Sequence, residues 1–224
     1  MKIAIGADHG GVALKDGIAA HLLHRDIDVV LIAAETPFPG RRLPRGPYRE
    51  GPSALGRADL AVVTRKTASP AEAEEVARRI RARNPALAVA RVVLQPSGWE
   101  GLDGSPAASP SGPAVVLTAV AEPEGVRALA ASAIGSGPSG AGAVSQSLDL
   151  VAFPDHHDFS AADVRRVVAE GRALVVTEKD AVKLAEHGAA LDGVAVHVLT
   201  LEVVWEEGEA EARTAVDRLL EART

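Results

Sequence analysis

The chain has 224 residues, 47% hydrophobic and 24% charged, so it can bury one substantial core or two small ones. Its net charge of −6, without a block of Lys or Arg, gives no electrostatic footprint for nucleic acid, and we expect none to bind. The absence of cysteine excludes a disulfide framework, a thiolate metal site and a cysteine nucleophile, and fits a reducing cytosol.

The sequence predicts neither a signal peptide nor a membrane span. Met1 is followed directly by the strand-like Lys2-Ile-Ala-Ile5, without a basic region and a long apolar run. No apolar run approaches the roughly 18 residues that a membrane-spanning helix needs.

Short apolar runs alternate with helical patterns along the chain. In chain order we predict strand 2–5, helix 12–24, strand 28–33, strand 60–64, helix 71–83, strand 87–94, strand 114–118, helix 123–134, strand 148–153, helix 160–170, strand 173–176, helix 179–187, strand 194–201 and helix 209–221. This order is typical of an α/β protein with a largely parallel sheet and flanking helices. Two polar stretches interrupt it, at 35–52 and at 95–113, and we expect the second to be a flexible loop.

The densest ionisable chemistry follows two of the predicted strands. The stretches Val151-Ala-Phe-Pro-Asp-His-His-Asp-Phe-Ser160 and Val175-Val-Thr-Glu-Lys-Asp180 each fit a strand, a polar turn and the start of a helix. Such turns collect at the carboxyl edge of a parallel sheet, where ligands bind. We therefore expect one site to contain Asp155, His156, Glu178, Lys179 and Asp180.

Two interpretations of these turns stay open. A carboxylate such as Asp155 beside the imidazole of His156 can orient the ring and raise its basicity, which suits a general base. The same residues also fit polar caps at helix N-termini. Lys179 fits either a solvated turn or a point charge that contacts a phosphate or a substrate carboxylate.

Other polar groups give weaker signals. Arg41, Arg42, Arg45 and Arg49 share one loop with Glu50, and arginine forks suit phosphate, although a solvated basic loop fits as well. Gly137 and Gly142 have P-loop spacing, but Ala143 and Val144 stand where Lys and Ser or Thr are needed, so we predict a flexible loop. The histidines show no metal-ligand spacing, and we predict no metal site.

Several short blocks carry a family likeness from about Leu23 to the C-terminus. They are His24-Arg-Asp-Ile-Asp-Val-Val30, Pro37-Phe38, Arg42-Leu-Pro-Arg-Gly-Pro-Tyr-Arg-Glu50, Arg57-Ala-Asp-Leu60, Ala133-Ile-Gly135, Phe153-Pro-Asp-His-His-Asp-Phe-Ser160 and Thr177-Glu-Lys-Asp-Ala-Val-Lys183. In these blocks the chain resembles the C-terminal half of tetraacyldisaccharide 4'-kinase, which phosphorylates the lipid A precursor. The last two blocks together are the most specific.

This resemblance implies an α/β domain hinged to a P-loop domain, in an enzyme peripheral to the inner membrane. It implies that His156, oriented by Asp155, lies beside the catalytic centre, with Arg49 and Glu50 near nucleotide, metal or phosphate. The family's Gly-Gly-Thr-Gly-Lys-Thr loop has no counterpart in this sequence. Because that loop supplies much of the electrostatic stabilisation, we expect ATP and magnesium to act only with a P-loop from another chain. A non-catalytic module that binds the lipid A disaccharide precursor or a nucleotide-binding partner is the alternative.

The first 22 residues resemble a different family. Met1-Lys-Ile-Ala-Ile-Gly-Ala-Asp-His-Gly-Gly-Val-Ala-Leu-Lys15 is similar to the opening of ribose-5-phosphate isomerase B, in which Asp8 and His9 match a sugar-phosphate site. The isomerase's later Cys-Gly-Thr-Gly block has no counterpart here. These likenesses predict an isomerase-like segment at 1–22 joined to a kinase-like domain at 23–224, in a truncated or chimeric chain.

Overall fold

The structure is a computed structural model that describes residues 4–6, 29–35, 38–40, 51–135, 148–168 and 171–221. The chain divides into two compact units, Met1–Leu94 with Val203–Thr224, and Gln95–Glu202. The predicted helix at 12–24, most of the arginine-rich loop and the glycine-rich segment after Gly135 lie outside the described residues.

The first unit contains parallel strands in the order β1 to β4. These are β1 (Ala4–Gly6), β2 (Val29–Ala33), β3 (Leu60–Arg65) and β4 (Ala88–Glu100), of which the first seven residues belong to this unit. In the register, Val62 lies opposite Leu31 on one side and Ala90 on the other. The near-continuous apolar runs suit strands that are covered on both faces.

Helices cover both faces of this sheet. Helix α1 (Pro70–Arg83) begins at a Ser69 capping box and turns a buried stripe of Ala73, Val76, Ala77 and Ile80 towards the β3 side chains of Ala61 and Val63. The last helix of the chain, Glu209–Glu221, places Ala212 against the opposite face, with Leu31 and Val62.

Gly208 joins the last strand to this terminal helix with a φ of +75°. A Cβ atom at this position would lie 2.7 Å from the carbonyl oxygen of Val89 and 2.8 Å from Cα of Ala90. Only glycine fits, because both the left-handed backbone and the close approach exclude a side chain.

The second unit contains parallel strands in the order β8-β7-β5-β6. The strands are β5 (Ala114–Thr118), β6 (Leu148–Ala152), β7 (Ala173–Thr177) and β8 (Val196–Glu207), of which the first seven residues belong to this unit. The helices are α2 (Pro123–Gly135), α3 (Ala161–Val168), α4 (Glu178–Leu184) and a 3-10 helix at Ala185–Ala190. We number Glu209–Glu221 α5. Leu117 and Val176 pack with Val164 and Leu184 on one face, and Val116 packs with Ala130 on the other. The predicted α/β class with a mostly parallel sheet is confirmed.

The structure differs from the predicted loop at 95–113 over its first six residues. Gln95–Glu100 continue β4 as strand, and Trp99 is buried. The side-chain NH2 group of Gln95 donates to the Glu202 carboxylate at 3.0 Å, and the Ser97 hydroxyl donates to the Thr200 hydroxyl at 3.0 Å. The prediction failed here because the partners of this Pro-, Ser- and Gly-containing stretch lie about a hundred residues further along the chain.

Candidate functional site

The candidate site is the turn that follows β6, and its backbone is fixed to the end of β5. The Phe153 N–H donates to the Thr118 carbonyl oxygen at 2.9 Å, and the His156 N–H donates to the Ala119 carbonyl oxygen at 3.2 Å. His156 has a φ of +63°, and no other non-glycine residue in the described part of the chain has a positive φ. The turn therefore holds the His156 backbone in a left-handed conformation that residues other than glycine rarely adopt.

The predicted pair of Asp155 and His156 is in place. Nε2 of His156 lies 3.5 Å from Oδ2 of Asp155, which is longer than a hydrogen bond. The His156 side chain is 64% exposed, whereas that of Asp155 is only 25% exposed. The imidazole is thus accessible to a ligand, and its carboxylate neighbour is largely enclosed.

Lys179 and Asp155 meet from neighbouring turns, as the sequence predicts for the two polar stretches. Nζ of Lys179 lies 3.5 Å from Oδ1 of Asp155, and its side chain is 28% exposed. Glu178, by contrast, is exposed at the first position of α4. Lys179 faces Asp155 directly, so a contact with phosphate would require this pair to open.

Asp180 is fully buried and joins the ends of β5 and β7. Its Oδ2 accepts hydrogen bonds from the hydroxyls of Thr118 at 2.7 Å and Thr177 at 2.8 Å, and its Oδ1 accepts from the Ala119 N–H at 3.2 Å. Sequence reasoning missed Thr118. The available signal was its position, since a hydroxyl ends a strand that is otherwise entirely apolar.

His157 differs from its neighbour because it belongs to the packing of the unit. Its ring stacks on Phe153 with centroids 4.6 Å apart, and Nε2 lies 3.2 Å from Oδ2 of Asp163. The Lys183 ammonium donates to the His157 carbonyl oxygen at 2.6 Å. Of the two adjacent histidines, only His156 presents most of its side chain to solvent.

Asp163 is the most strongly perturbed carboxyl group near the turn. Its pKa is lowered from 3.8 to about 2, first by the Ser160 hydroxyl, then by the Ser160 N–H, and also by His157. The hydroxyl and the N–H donate to Oδ2 at 2.7 Å and 3.0 Å. Asp163 therefore caps α3 locally and stays ionised over the ordinary pH range.

The remaining predicted site residues are not tested by this geometry. Asp8, His9, Arg49 and Glu50 lie outside the described residues, and their roles stay predictions. Within the ranges that the structure describes, no group of three or more His, Asp or Glu side chains has an arrangement that would hold a metal ion. None of the helices described is both long enough and apolar enough to cross a membrane.

The fold and the site define an α/β protein with ionisable side chains at the carboxyl edge of a parallel sheet, the usual position of ligand sites in this class. A family model described as tetraacyldisaccharide-1-P 4'-kinase, or LpxK, matches residues 7–221. The chain belongs to this family.

Curated relatives support the same assignment. A tetraacyldisaccharide 4'-kinase of Anaeromyxobacter dehalogenans is 34% identical over 89% of this chain and 52% of its own length. One of Geobacter sulfurreducens is 32% identical over 92% of this chain and 55% of its own length. The chain therefore spans about half the length of the curated relatives it matches.

A solved structure shares the fold. The crystal structure of the "apo" form of LpxK from Aquifex aeolicus, in complex with ATP, gives a TM-score of 0.54 at 18% identity and covers 88% of this chain and 53% of that one. The predicted kinase resemblance is confirmed at the level of the family. The isomerase likeness of residues 1–22, the boundary at residue 23 and a truncated or chimeric origin stay predictions.

Proposed function

We propose that this chain supplies the acceptor side of a tetraacyldisaccharide 4'-kinase, an enzyme of lipid A biosynthesis that transfers phosphate from ATP to a lipid disaccharide. The observation that carries the proposal is the accessible imidazole of His156, held at φ +63° beside Asp155. Non-glycine residues in strained backbone conformations are concentrated at functional sites, where the surrounding structure holds them in place.

In the proposed reaction, a hydroxyl oxygen of the disaccharide bonds to the γ-phosphorus of ATP as the bond from that phosphorus to the bridging oxygen of ADP breaks. His156 accepts the proton that the hydroxyl loses. Because Nε2 is the ring atom beside the Asp155 carboxylate, a proton on Nε2 leaves Nδ1 as the accepting atom. Asp155 orients the ring and faces the positive charge that forms.

The nucleotide side of the reaction is proposed to come from a P-loop supplied outside this sequence. ATP supplies the phosphoryl group, while magnesium and a P-loop neutralise its charge. This sequence contains no Gly-x-x-x-x-Gly-Lys-Ser/Thr pattern. Arg49 is proposed to contact phosphate, and Glu50 is proposed to lie near the nucleotide, metal or phosphate. Lys179 can contact phosphate only if its pair with Asp155 opens. We place the reaction at the cytoplasmic surface of the inner membrane, since four acyl chains hold the acceptor in a bilayer.

A phosphoryl-transfer assay tests the proposal. The full chain is incubated with magnesium, labelled ATP and tetraacyldisaccharide 1-phosphate in detergent micelles, alone and with a P-loop chain of this family added in trans. We expect no transfer by the chain alone and transfer by the mixture above the background of the added chain. Robust transfer by the isolated chain would overturn the assignment of the nucleotide site.

The rival functions have distinct outcomes. Lipid binding without transfer in any mixture would make the chain a non-catalytic module. The isomerase interpretation, which depends on Asp8 and His9, predicts turnover of ribose 5-phosphate that is lost in His9→Ala. Failure of the wild-type chain to convert ribose 5-phosphate would dispose of that interpretation.

A further inference from the structure

We propose that Asp180 is a positioning residue that holds the turn carrying His156, an inference that rests on the proposed function. Asp180 is fully buried, and its carboxylate accepts three hydrogen bonds from the ends of β5 and β7. Its effect on His156 is exerted through the backbone of β5.

The direction of the Asp180 carboxylate separates it from other helix-capping acids in the chain. Glu72 and Asp163 stand at the same third position of their helices, and each accepts bonds from the N–H and hydroxyl of its own capping serine. Asp180 accepts from its own cap, the Thr177 hydroxyl, but also from Thr118 and Ala119, about sixty residues earlier. Helix capping alone does not require those bonds.

A continuous hydrogen-bonded path runs from Asp180 to His156. Oδ1 of Asp180 fixes the Ala119 N–H at 3.2 Å, and the Ala119 carbonyl oxygen accepts the His156 N–H at 3.2 Å. The adjacent Thr118 donates its hydroxyl proton to Asp180, and the Thr118 carbonyl oxygen accepts a hydrogen bond from the Phe153 N–H at 2.9 Å. Thr118 and Ala119, which Asp180 holds at the end of β5, are thus the two residues that anchor the His156 turn.

The chemistry of this junction requires a carboxylate. Two hydroxyl protons and one amide proton point at Asp180, and an ionised carboxylate offers acceptors only. An asparagine would turn an NH2 group towards one of these donors. The mismatch would loosen either the Thr118 hydroxyl or the Ala119 amide, and with it the left-handed turn at His156.

Hydrogen exchange of the full-length chain tests this role without reference to activity. The exchange rate of the His156 amide is measured by NMR in wild type, Asp180→Asn and the matched capping control Glu72→Gln, together with that of the core amide of Leu174. We expect the His156 amide to exchange about tenfold faster or more in Asp180→Asn, with a much smaller change at Leu174. Glu72→Gln should leave the His156 amide unchanged.

A second pair of variants covers a failure of Asp180→Asn to fold. Thr118→Val removes one donor to the carboxylate, and Thr118→Ser keeps it, so only Thr118→Val should accelerate exchange at His156. An equal acceleration at His156 and Leu174 would reveal a purely structural role and overturn the proposal, as would no acceleration at all.

A kinetic measurement links this role to the proposed function. In the phosphoryl-transfer assay with the added P-loop chain, Asp180→Asn should lower kcat at least tenfold with little change in KM. If the wild-type mixture shows no transfer, the proposed function fails while the hydrogen-exchange result still decides the role of Asp180.

Discussion

The ammonium of Lys179 and the carboxylate of Asp155 lie 3.5 Å apart, although 24 positions separate the two residues in the chain. The same carboxylate lies 3.5 Å from the His156 ring through its other oxygen. Asp155 therefore connects the turn after β6 to the helix that follows β7. This relationship ties the two most family-specific blocks of the sequence to one site.

Loss of the Lys179 charge should destabilise the second unit. Lys179→Gln removes a cation that lies 3.5 Å from the largely enclosed carboxylate of Asp155, and we expect the free energy of unfolding to fall by about 1 kcal/mol. Urea denaturation measures the change. The matched control is Arg127→Gln, which removes an exposed partner of Glu124 and should change stability by no more than a few tenths of a kcal/mol. Equal effects of the two substitutions would contradict a special role for the Lys179 pair.

Glycine at position 156 should relieve backbone strain. Because φ is +63°, His156→Gly should be more stable than His156→Ala by roughly 0.5 to 1 kcal/mol, after the entropy that glycine gains in the unfolded chain is subtracted. Thermal unfolding of both variants checks this difference. A glycine variant that is less stable than the alanine variant would show that the left-handed turn is not strained.

Much of the fold and part of the site follow from local sequence. The bounds of β5 and α5 match their predictions, because apolar runs and helical periodicity report buried strands and amphipathic helices directly. The strand at Gln95–Glu100 was missed because its hydrogen-bond partners are remote in sequence. For the same reason, spacing alone indicates a site at the Asp155 turn but gives no indication that Thr118 holds Asp180.

Stability should fall at acid pH as Asp163 becomes protonated. Its pKa is about 2 in the folded chain, below the ordinary 3.8, so its stabilising effect is complete above about pH 4 and is lost as the pH falls towards 2. NMR titration should find this carboxyl at about 2 in the wild type and closer to 3.8 in Ser160→Ala, where the main donor is missing. The same pKa in both proteins would contradict the assigned cause.

Replacement of Gly208 should be far more damaging than replacement of another left-handed glycine. Gly208→Ala places Cβ 2.7 Å from a backbone oxygen, and we expect a loss of about 3 kcal/mol or more. The control is Gly193→Ala, with a φ of +73° but open space around an added Cβ, for which about 1 kcal/mol is expected. Denaturant unfolding compares the two, and similar losses would show that backbone strain alone decides both positions.

The most direct test of the proposed function is the rate of phosphoryl transfer to tetraacyldisaccharide 1-phosphate in the mixture with a P-loop chain. We expect His156→Ala to lower this rate at least a hundredfold, because a positioned general base contributes roughly that much, while the fold stays intact. His197→Ala, which removes another imidazole of the same unit, should leave the rate unchanged. Transfer at the wild-type rate by His156→Ala would contradict the account.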